Sequence, residues 1–309
     1  PTFLILPSSI FRVLIYFKYS LNISHTTTHN NTIGIEKRVY VESKSSRYYC
    51  CRHEKNSFNT HRFSTSYPRR YVIMLIYQFT SSLLWYCMLA LRLHGEWVPR
   101  KGYVPTPEEE RTKKAHHGSR VWKNTTVKLE DIERPKPGPG EVLLRIRACG
   151  ICGSDIHMYE KDEEGYMLYP GLVGPLPVVI GHELSGEVIE VGSGVNQLKP
   201  GDPVTCEEMW WCGVCDPCRG GLPNHCVNLE EMGFTKDGGF AEYMVVPAKY
   251  CWKIDRLLDA YRSEDKMYEA GSLVEPTSVA YNAMFVRAGG FKPGAYVVVW
   301  GCGPIGLAC

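Results

Sequence analysis

From residue 88 to residue 255 the apolar positions fall in short runs separated by glycine and proline, a pattern of strands and turns. Met88–His94 alternates apolar and polar residues as a half-buried strand does. Glu141–Ala148 predicts a second strand, entered through the turn-rich Pro135–Gly140. Val178–Ile180, Glu187–Val191, Gly201–Thr205 and Ala241–Val246 read in the same way. Many short strands joined by Gly/Pro turns predict a partly open β-barrel. The pattern changes near residue 264. Ser263–Val286 predicts a largely helical stretch interrupted around Pro276, and Gly289–Gly294 a turn. Tyr296–Trp300 predicts a strand buried on both faces, running straight into Gly301-Cys-Gly-Pro-Ile-Gly306. No internal repeat is evident.

Upstream of residue 88 there is no consistent periodicity. Tyr71–Leu91 carries no charge over 21 residues, long enough to span a bilayer. Gln78, Thr80, Ser81 and Ser82 weaken its middle, however, and its end merges with the Met88 strand, so we read no membrane span. Arg12 and Lys18 interrupt the first apolar stretch and no small-residue cleavage site follows, so we read no signal peptide. Charge sharpens the division. The chain has a formal net charge of +2, but residues 1–87 hold 11 Lys/Arg against 3 Asp/Glu and the remainder 24 against 30. The basic residues are scattered and accompany no binding motif, which excludes a nucleic-acid partner. The expected organisation is an unstructured upstream extension over 1–87 followed by a folded protein.

Thirteen cysteines in a chain of 309 residues change the picture through their spacing. Cys212, Cys215, Cys218 and Cys226 form C-x2-C-x2-C-x7-C. Cysteines this close are poor disulfide partners, and four thiolates on one short loop can close a tetrahedron around Zn²⁺. A site closed by four thiolates leaves no place for substrate, so its role is structural. Thiolate ligands must stay reduced, which points to the cytoplasm.

A second set of potential ligands is dispersed. Gly150-Ile-Cys-Gly-Ser-Asp-Ile-His157 offers Cys152, Gly181-His-Glu183 offers His182 and Glu183, and Leu273-Val-Glu-Pro276 offers Glu275. Catalytic zinc usually takes three protein ligands and keeps one open position. Cys152, His182 and one or both glutamates would supply that set. Asp155 is placed to accept the second N–H of His182 and fix its tautomer. Singly each residue has a plainer account: a core cysteine, a surface histidine, a helix-end carboxylate. Cys149 competes with Cys152 as ligand, and we read it as packing.

The order GICGSDIH (150–157), GHELSGEV (181–188), the four-cysteine loop, DGGFAEY (237–243), LVEPTSVAYNA (273–283) and VVVWGCGPIG (297–306) resembles the zinc-containing medium-chain alcohol and polyol dehydrogenases from about Met88 to Cys309. The resemblance implies an α/β protein with a β-rich part, a GroES-like zinc catalytic domain over 88–274 and the beginning of a Rossmann NAD-binding domain over 275–309, cut short by the end of the chain. It makes Cys152, His182 and Glu183 zinc ligands. It sets Glu275 at the metal, directly or through water, where the alcohol dehydrogenase branch has a cysteine. It assigns Ser154 and His157 to the relay that carries away the alcohol proton. It gives Gly301, Gly303, Pro304, Ile305 and Gly306 to the cofactor pyrophosphate. A narrower resemblance, to dehydrogenases of inositol catabolism, rests on Asp162–Gly171, Glu207–Trp211 and Ser272–Asn282.

The resemblance implies two zinc ions per chain and oxidation of a secondary alcohol of a polyol or cyclitol, an inosose above all, with hydride passed to NAD. The residue that would separate NAD from NADP lies beyond Cys309. A homo-oligomer, dimer or tetramer, is expected, with no membrane partner. The fragment taken alone is expected to be inactive. A zinc-stabilised binding module and a dehydrogenase of sorbitol, threonine or a simple alcohol are the competing readings.

Overall fold

The computed structural model describes residues 14–22, 34–43, 46–51 and 87–309. The chain divides into two compact units, Pro1–Tyr86 and Cys87–Cys309. In the first, the strands β1 (Leu14–Asn22), β2 (Gly34–Ser43) and β3 (Ser46–Cys51) form an antiparallel sheet in that order. The stretch expected to be unstructured thus contains regular backbone, and its strands are rich in the β-branched and aromatic residues that favour it, as in Arg38-Val-Tyr-Val41. Of the uncharged run Tyr71–Leu91, residues 71–86 lie outside the described residues and Cys87–Leu91 belong to a strand. No helix among the described residues is long and apolar enough to cross a membrane.

The second unit is mixed α/β, with its strands first. β4 (Cys87–Trp97) pairs antiparallel with β5 (Trp122–Glu133) and with β7 (Val178–Val179). Between these in sequence lie the helices α1 (Pro107–Thr112) and α2 (Gly118–Val121), β6 (Glu141–Gly150) and α3 (Gly153–Tyr159). After β7 come β8 (Glu183–Val191), β9 (Pro203–Cys206), β10 (Met209–Trp210), α4 (Asp216–Arg219), β11 (Glu230–Glu231), β12 (Tyr243–Pro247) and β13 (Cys251–Lys253). A five-stranded antiparallel sheet runs β12-β6-β8-β9-β13. One core fills it with Val142, Leu144, Leu184, Val188, Val204, Met232, Met244 and Val246. A second gathers Leu93, Trp122, Met158, Met167, Val178 and Phe234 under the β4 sheet, and Phe240 packs against both.

The expected strands appear near their expected places. β8 starts earlier than the pattern suggested, at Glu183, so its first residues belong to the Gly181-His-Glu183 motif. Past the strands, α5 (Leu257–Tyr261), α6 (Glu264–Ser272) and α7 (Val274–Tyr281) supply the expected helical stretch. Its break falls at Leu273, three residues before Pro276, whose missing N–H prevents one continuous helix. Met267 and Tyr268 of α6 pack with Ala148 and Ile254, and the Ser185 hydroxyl donates to the Tyr268 carbonyl at 2.5 Å.

Tyr296–Trp300 departs from expectation. It is not a strand, and Tyr296 and Trp300 are 102% and 98% exposed. A strand apolar on both faces needs neighbours to ladder with and helices to cover it, and none of the described residues pairs with it. The glycine turn after it is formed nonetheless. The helix α8 (Pro304–Ala308) begins within the motif.

Candidate metal centres and active site

Cys212, Cys215, Cys218 and Cys226 come together on one loop, with their sulfur atoms all within 4.8 Å of one another. None is in a disulfide. The Cys215 and Cys226 sulfurs are 3.9 Å apart, far beyond a disulfide bond of about 2.05 Å and near the ~3.8 Å edge of a tetrahedron with Zn–S bonds of about 2.3 Å. Backbone N–H groups serve these sulfurs: Cys212 and Asn228 each donate to Cys226 Sγ at 3.3 Å. The N–H groups of Val214 and Cys215 bring the Cys212 thiol down to about 6, and those of Cys218 and Val227 hold Cys215 below the usual thiol range. Cys218 is pushed up by burial and by the thiols around it. The loop thus lowers two of its thiols and raises a third, and a bound cation would favour the thiolate form of them together, which fits a metal site.

The dispersed set also converges. Cys152 at the N-cap of α3, His182 just ahead of β8 and Glu183 at its start bring one ligand atom each within 4.8 Å of the others. Antiparallel pairing of β6 with β8 sets Gly150 opposite Glu183 and so carries the cysteine motif to the histidine motif. Gly181 makes the turn into His182 with φ +94°, a left-handed value that a side chain would strain. A Cβ on Gly150 would lie 2.2 Å from Glu183 Oε2, so the glycine leaves the space that the carboxylate fills. His182 is 5% exposed, and burial lowers its pKa to about 4, which keeps the imidazole neutral as a ligand must be. Burial raises Glu183. It also raises Cys152, where the charges of Glu183 and Asp155 add to it. Three donors of N, O and S type held close in a partly buried place fit a divalent metal with an open position.

The other expected residues are placed differently. Asp155 is buried beside the trio, but its Oδ1 is 3.8 Å from His182 Nδ1, too long for the hydrogen bond expected there. Its Oδ2 instead accepts from the Cys152 N–H at 2.9 Å, because Asp155 is the third residue of α3 and folds back on the helix start. Both Asp155 Oδ1 and His182 Nδ1 are buried without a hydrogen-bond partner. Burial, with the Glu183 charge behind it, pushes Asp155 up to about 7. Glu275, in the first turn of α7, lies outside the group of mutually close ligand atoms. It is near enough that, after burial, the charges of Glu183 and Asp155 help to raise it to about 7. Ser154 Oγ is buried and unpartnered, whereas His157, one helical turn on, is exposed with Nδ1 3.4 Å from Glu160. Cys149 lies in the core of the five-stranded sheet. In the glycine turn, Gly301 has φ +96°, and a Cβ on Gly306 would meet the Gly301 carbonyl at 2.1 Å. Gly303, Pro304 and Ile305 are exposed at the start of α8.

Some neighbours of the trio carried no assigned role in the sequence. The Tyr169 ring stacks on Phe234 at 5.1 Å, and Phe234 packs on the His182 ring at 4.9 Å. Tyr169 belongs to the acidic segment 162–171, which is anchored by Asp162 accepting from Arg100 and from the Glu164 and Tyr166 N–H groups. Its acidic residues are thus tied up or solvated, and its tyrosine is what reaches toward the trio. Buried Glu231 and its neighbour Glu208 were not singled out either, although Glu208 lies in a segment carrying the narrower resemblance.

A GroES-like strand unit, a four-cysteine loop and a Cys/His/Glu trio define the class. Residues 138–256 match the alcohol dehydrogenase GroES-like domain, and the chain is similar to alcohol and polyol dehydrogenases. Within that class it is 51% identical over 228 residues to scyllo-inosose 3-dehydrogenase of Thermotoga maritima, a match covering 72% of this chain and 57% of that protein. L-threonine 3-dehydrogenase of Pyrococcus horikoshii is 39% identical over 181 residues, 59% of this chain and 47% of that one. A solved structure from Thermotoga maritima, described as an alcohol dehydrogenase, matches with TM-score 0.67 and 50% identity over 72% of this chain and 57% of its own. The chain spans about half the length of the curated relatives it matches.

Proposed function

We propose that the full-length protein is a zinc-dependent dehydrogenase that oxidises a secondary alcohol of a polyol or cyclitol, best represented by scyllo-inosose, with NAD as acceptor. The convergence of Cys152, His182 and Glu183 from two separate motifs carries this reading. The 51% identity to scyllo-inosose 3-dehydrogenase supports the substrate class. Under this reading the trio holds the catalytic zinc with Glu275 near it, and the four-cysteine loop holds a structural one. Residues 88–274 form the catalytic domain, 275–309 begin a Rossmann domain, and 1–87 are dispensable. The protein works as a homo-oligomer in the cytoplasm on a small-molecule substrate.

When bound, zinc supplies Lewis-acid polarisation of the reacting hydroxyl and the nicotinamide supplies the hydride acceptor. The chain does the rest. Gly301, Gly303, Pro304, Ile305 and Gly306 seat the pyrophosphate, with Gly306 allowing the helix to close on the turn. Ser154 Oγ, buried without a partner, accepts the proton of the substrate hydroxyl as it releases its own toward His157. His157 lies three residues further along the same helix, on the same face and exposed, and passes that proton toward solvent.

Elemental analysis of the full-length protein is expected to give two zinc ions per chain, and a substrate panel to rank inosose above sorbitol, threonine and simple alcohols, with NAD preferred to NADP. One zinc per chain, or threonine as the preferred substrate, overturns the reading. Gly150→Ala supplies a second prediction. The new Cβ displaces Glu183 Oε2 while the strand pairing can persist. The variant is expected to fold and to hold its catalytic zinc about ten-fold or more weakly in chelator competition, the scale seen when groups supporting metal ligands are disturbed. Unchanged zinc retention would show that Glu183 is not a ligand.

A further inference from the structure

Two Glu-Glu pairs lie side by side in the fold, and each has one member spoken for and one free. Antiparallel pairing of β10 with β11 sets Met209 opposite Glu231, and the Met232 N–H donates to the Glu208 carbonyl at 3.0 Å. Glu207 accepts from the indole N–H groups of Trp211 at 3.3 Å and Trp252 at 2.9 Å, and Glu230 accepts from Lys114 at 2.6 Å. Glu208, next to the first, makes no side-chain hydrogen bond or ion pair with the described residues. Glu231, next to the second, is 8% exposed, and its Oε2 is buried with no partner. An unpaired buried carboxyl is costly enough that its retention needs an occupant.

Tyr169 completes the group. Its stack on Phe234, and that of Phe234 on His182, place it against the metal trio. Its hydroxyl also lacks a hydrogen bond among the described residues. Burial raises Tyr169 above the usual phenol range, and the charges of Glu231, Glu208, Cys152 and Asp155 add to this. Burial and the charges of Glu231 and Glu275 push Glu208 up to about 9, while burial and the Glu230 charge push Glu231 up to about 7. A carboxyl in its neutral form donates one hydrogen bond and accepts others, and a carboxylate accepts only, so either form pairs with ligand hydroxyls.

We propose that Glu208, Glu231 and the Tyr169 hydroxyl form a wall that hydrogen-bonds the non-reacting hydroxyls of a polyhydroxylated substrate whose reacting hydroxyl is at the Cys152–His182–Glu183 trio. The inference rests on the dehydrogenase reading and adds to it the residues that separate polyols from simple alcohols. A site built to pair hydroxyls discriminates sharply against a ligand that leaves its polar groups unpaired.

The test compares myo-inositol with cyclohexanol, which share a ring and differ in the additional hydroxyls, on the zinc-loaded full-length protein and on its Glu208→Leu, Glu208→Gln, Glu231→Gln and Tyr169→Phe variants. Calorimetric binding of myo-inositol is measured beside steady-state rates. The ratio of kcat/KM for myo-inositol to that for cyclohexanol is expected to fall about ten-fold or more in Glu208→Leu, less in the Gln and Phe variants, with myo-inositol binding weakened in parallel and zinc content and melting retained. If Glu208→Leu fails to fold, the same order among the conservative variants carries the result. Equal losses on both substrates, or unchanged myo-inositol binding, overturn the wall. Failure of the unmutated protein to oxidise scyllo-inosose as well as these two alcohols overturns the dehydrogenase reading instead, and the binding comparison still decides the wall.

Discussion

Replacing Cys152 by serine in the full-length protein is expected to reduce turnover by about a thousand-fold or more and to leave one zinc per chain. The trio offers one ligand atom from each of three residues, and the substitution removes its only sulfur. In the metal-free protein burial holds the Cys152 thiol up, and the charges of Glu183 and Asp155 add to the effect. A divalent cation reverses the sign of that field and makes the thiolate the stable form. Serine does not ionise in this range and leaves only His182 and Glu183 from the trio. A Lewis acid that contributes several kcal/mol to the barrier accounts for the size of the loss. The four-cysteine loop does not include Cys152 and is expected to keep its zinc in the variant. Steady-state rates with elemental analysis on one preparation check both halves. Two zinc ions and an undiminished rate in the variant would remove the trio from the chemistry.

The parts of the site that the sequence made legible are those carried by short contiguous motifs. Four cysteines spaced for a tetrahedron declare themselves without a fold, and GICGSDIH and GHE can be read one at a time. What brings them together, the register of Gly150 opposite Glu183, is set by long-range strand pairing and has no local signal. Strand β5, the longest in the second unit, was missed because Lys123, Lys128, Glu130 and Glu133 interrupt its apolar side chains and disguise the alternation. Tyr296–Trp300 failed in the opposite direction, because a both-faces-apolar run is a strand only where other strands receive it. Asp155 lies beside His182 but bonds elsewhere than expected. The hydrogen bond to its own helix start is a local interaction that competes with one to His182. Glu208, Glu231 and Tyr169 have no motif, and only tertiary structure distinguishes an unpartnered buried glutamate from its ion-paired neighbour.

Glu275→Gln is expected to lower kcat on inosose or polyol substrates about 10- to 100-fold in the full-length protein, while raising the melting temperature of the metal-free protein above neutral pH. The two effects have one cause. Glu275 enters from the first turn of α7, just past the helix break at Leu273, and meets burial together with the charges of Glu183 and Asp155. An unfolded glutamate titrates near 4.3, and burial raises Glu275 to about 7 in the fold. Between those values the folded protein holds a proton that the unfolded chain has released, so stability falls as pH rises from about 4.3 to about 7, and the full cost is present above that. Glutamine keeps the volume without the charge and removes this penalty, so the metal-free variant loses less stability over the interval. With zinc bound at the trio the same carboxylate would serve as an oxygen donor or hold a water, and its loss would fall on the reaction, at the scale found for groups that support metal ligands. Wild-type kcat with zinc occupancy confirmed would reduce Glu275 to a helix-end carboxylate. A metal-free melting curve that keeps its slope between pH 4 and about 7 in the variant would show that the buried charge lies elsewhere.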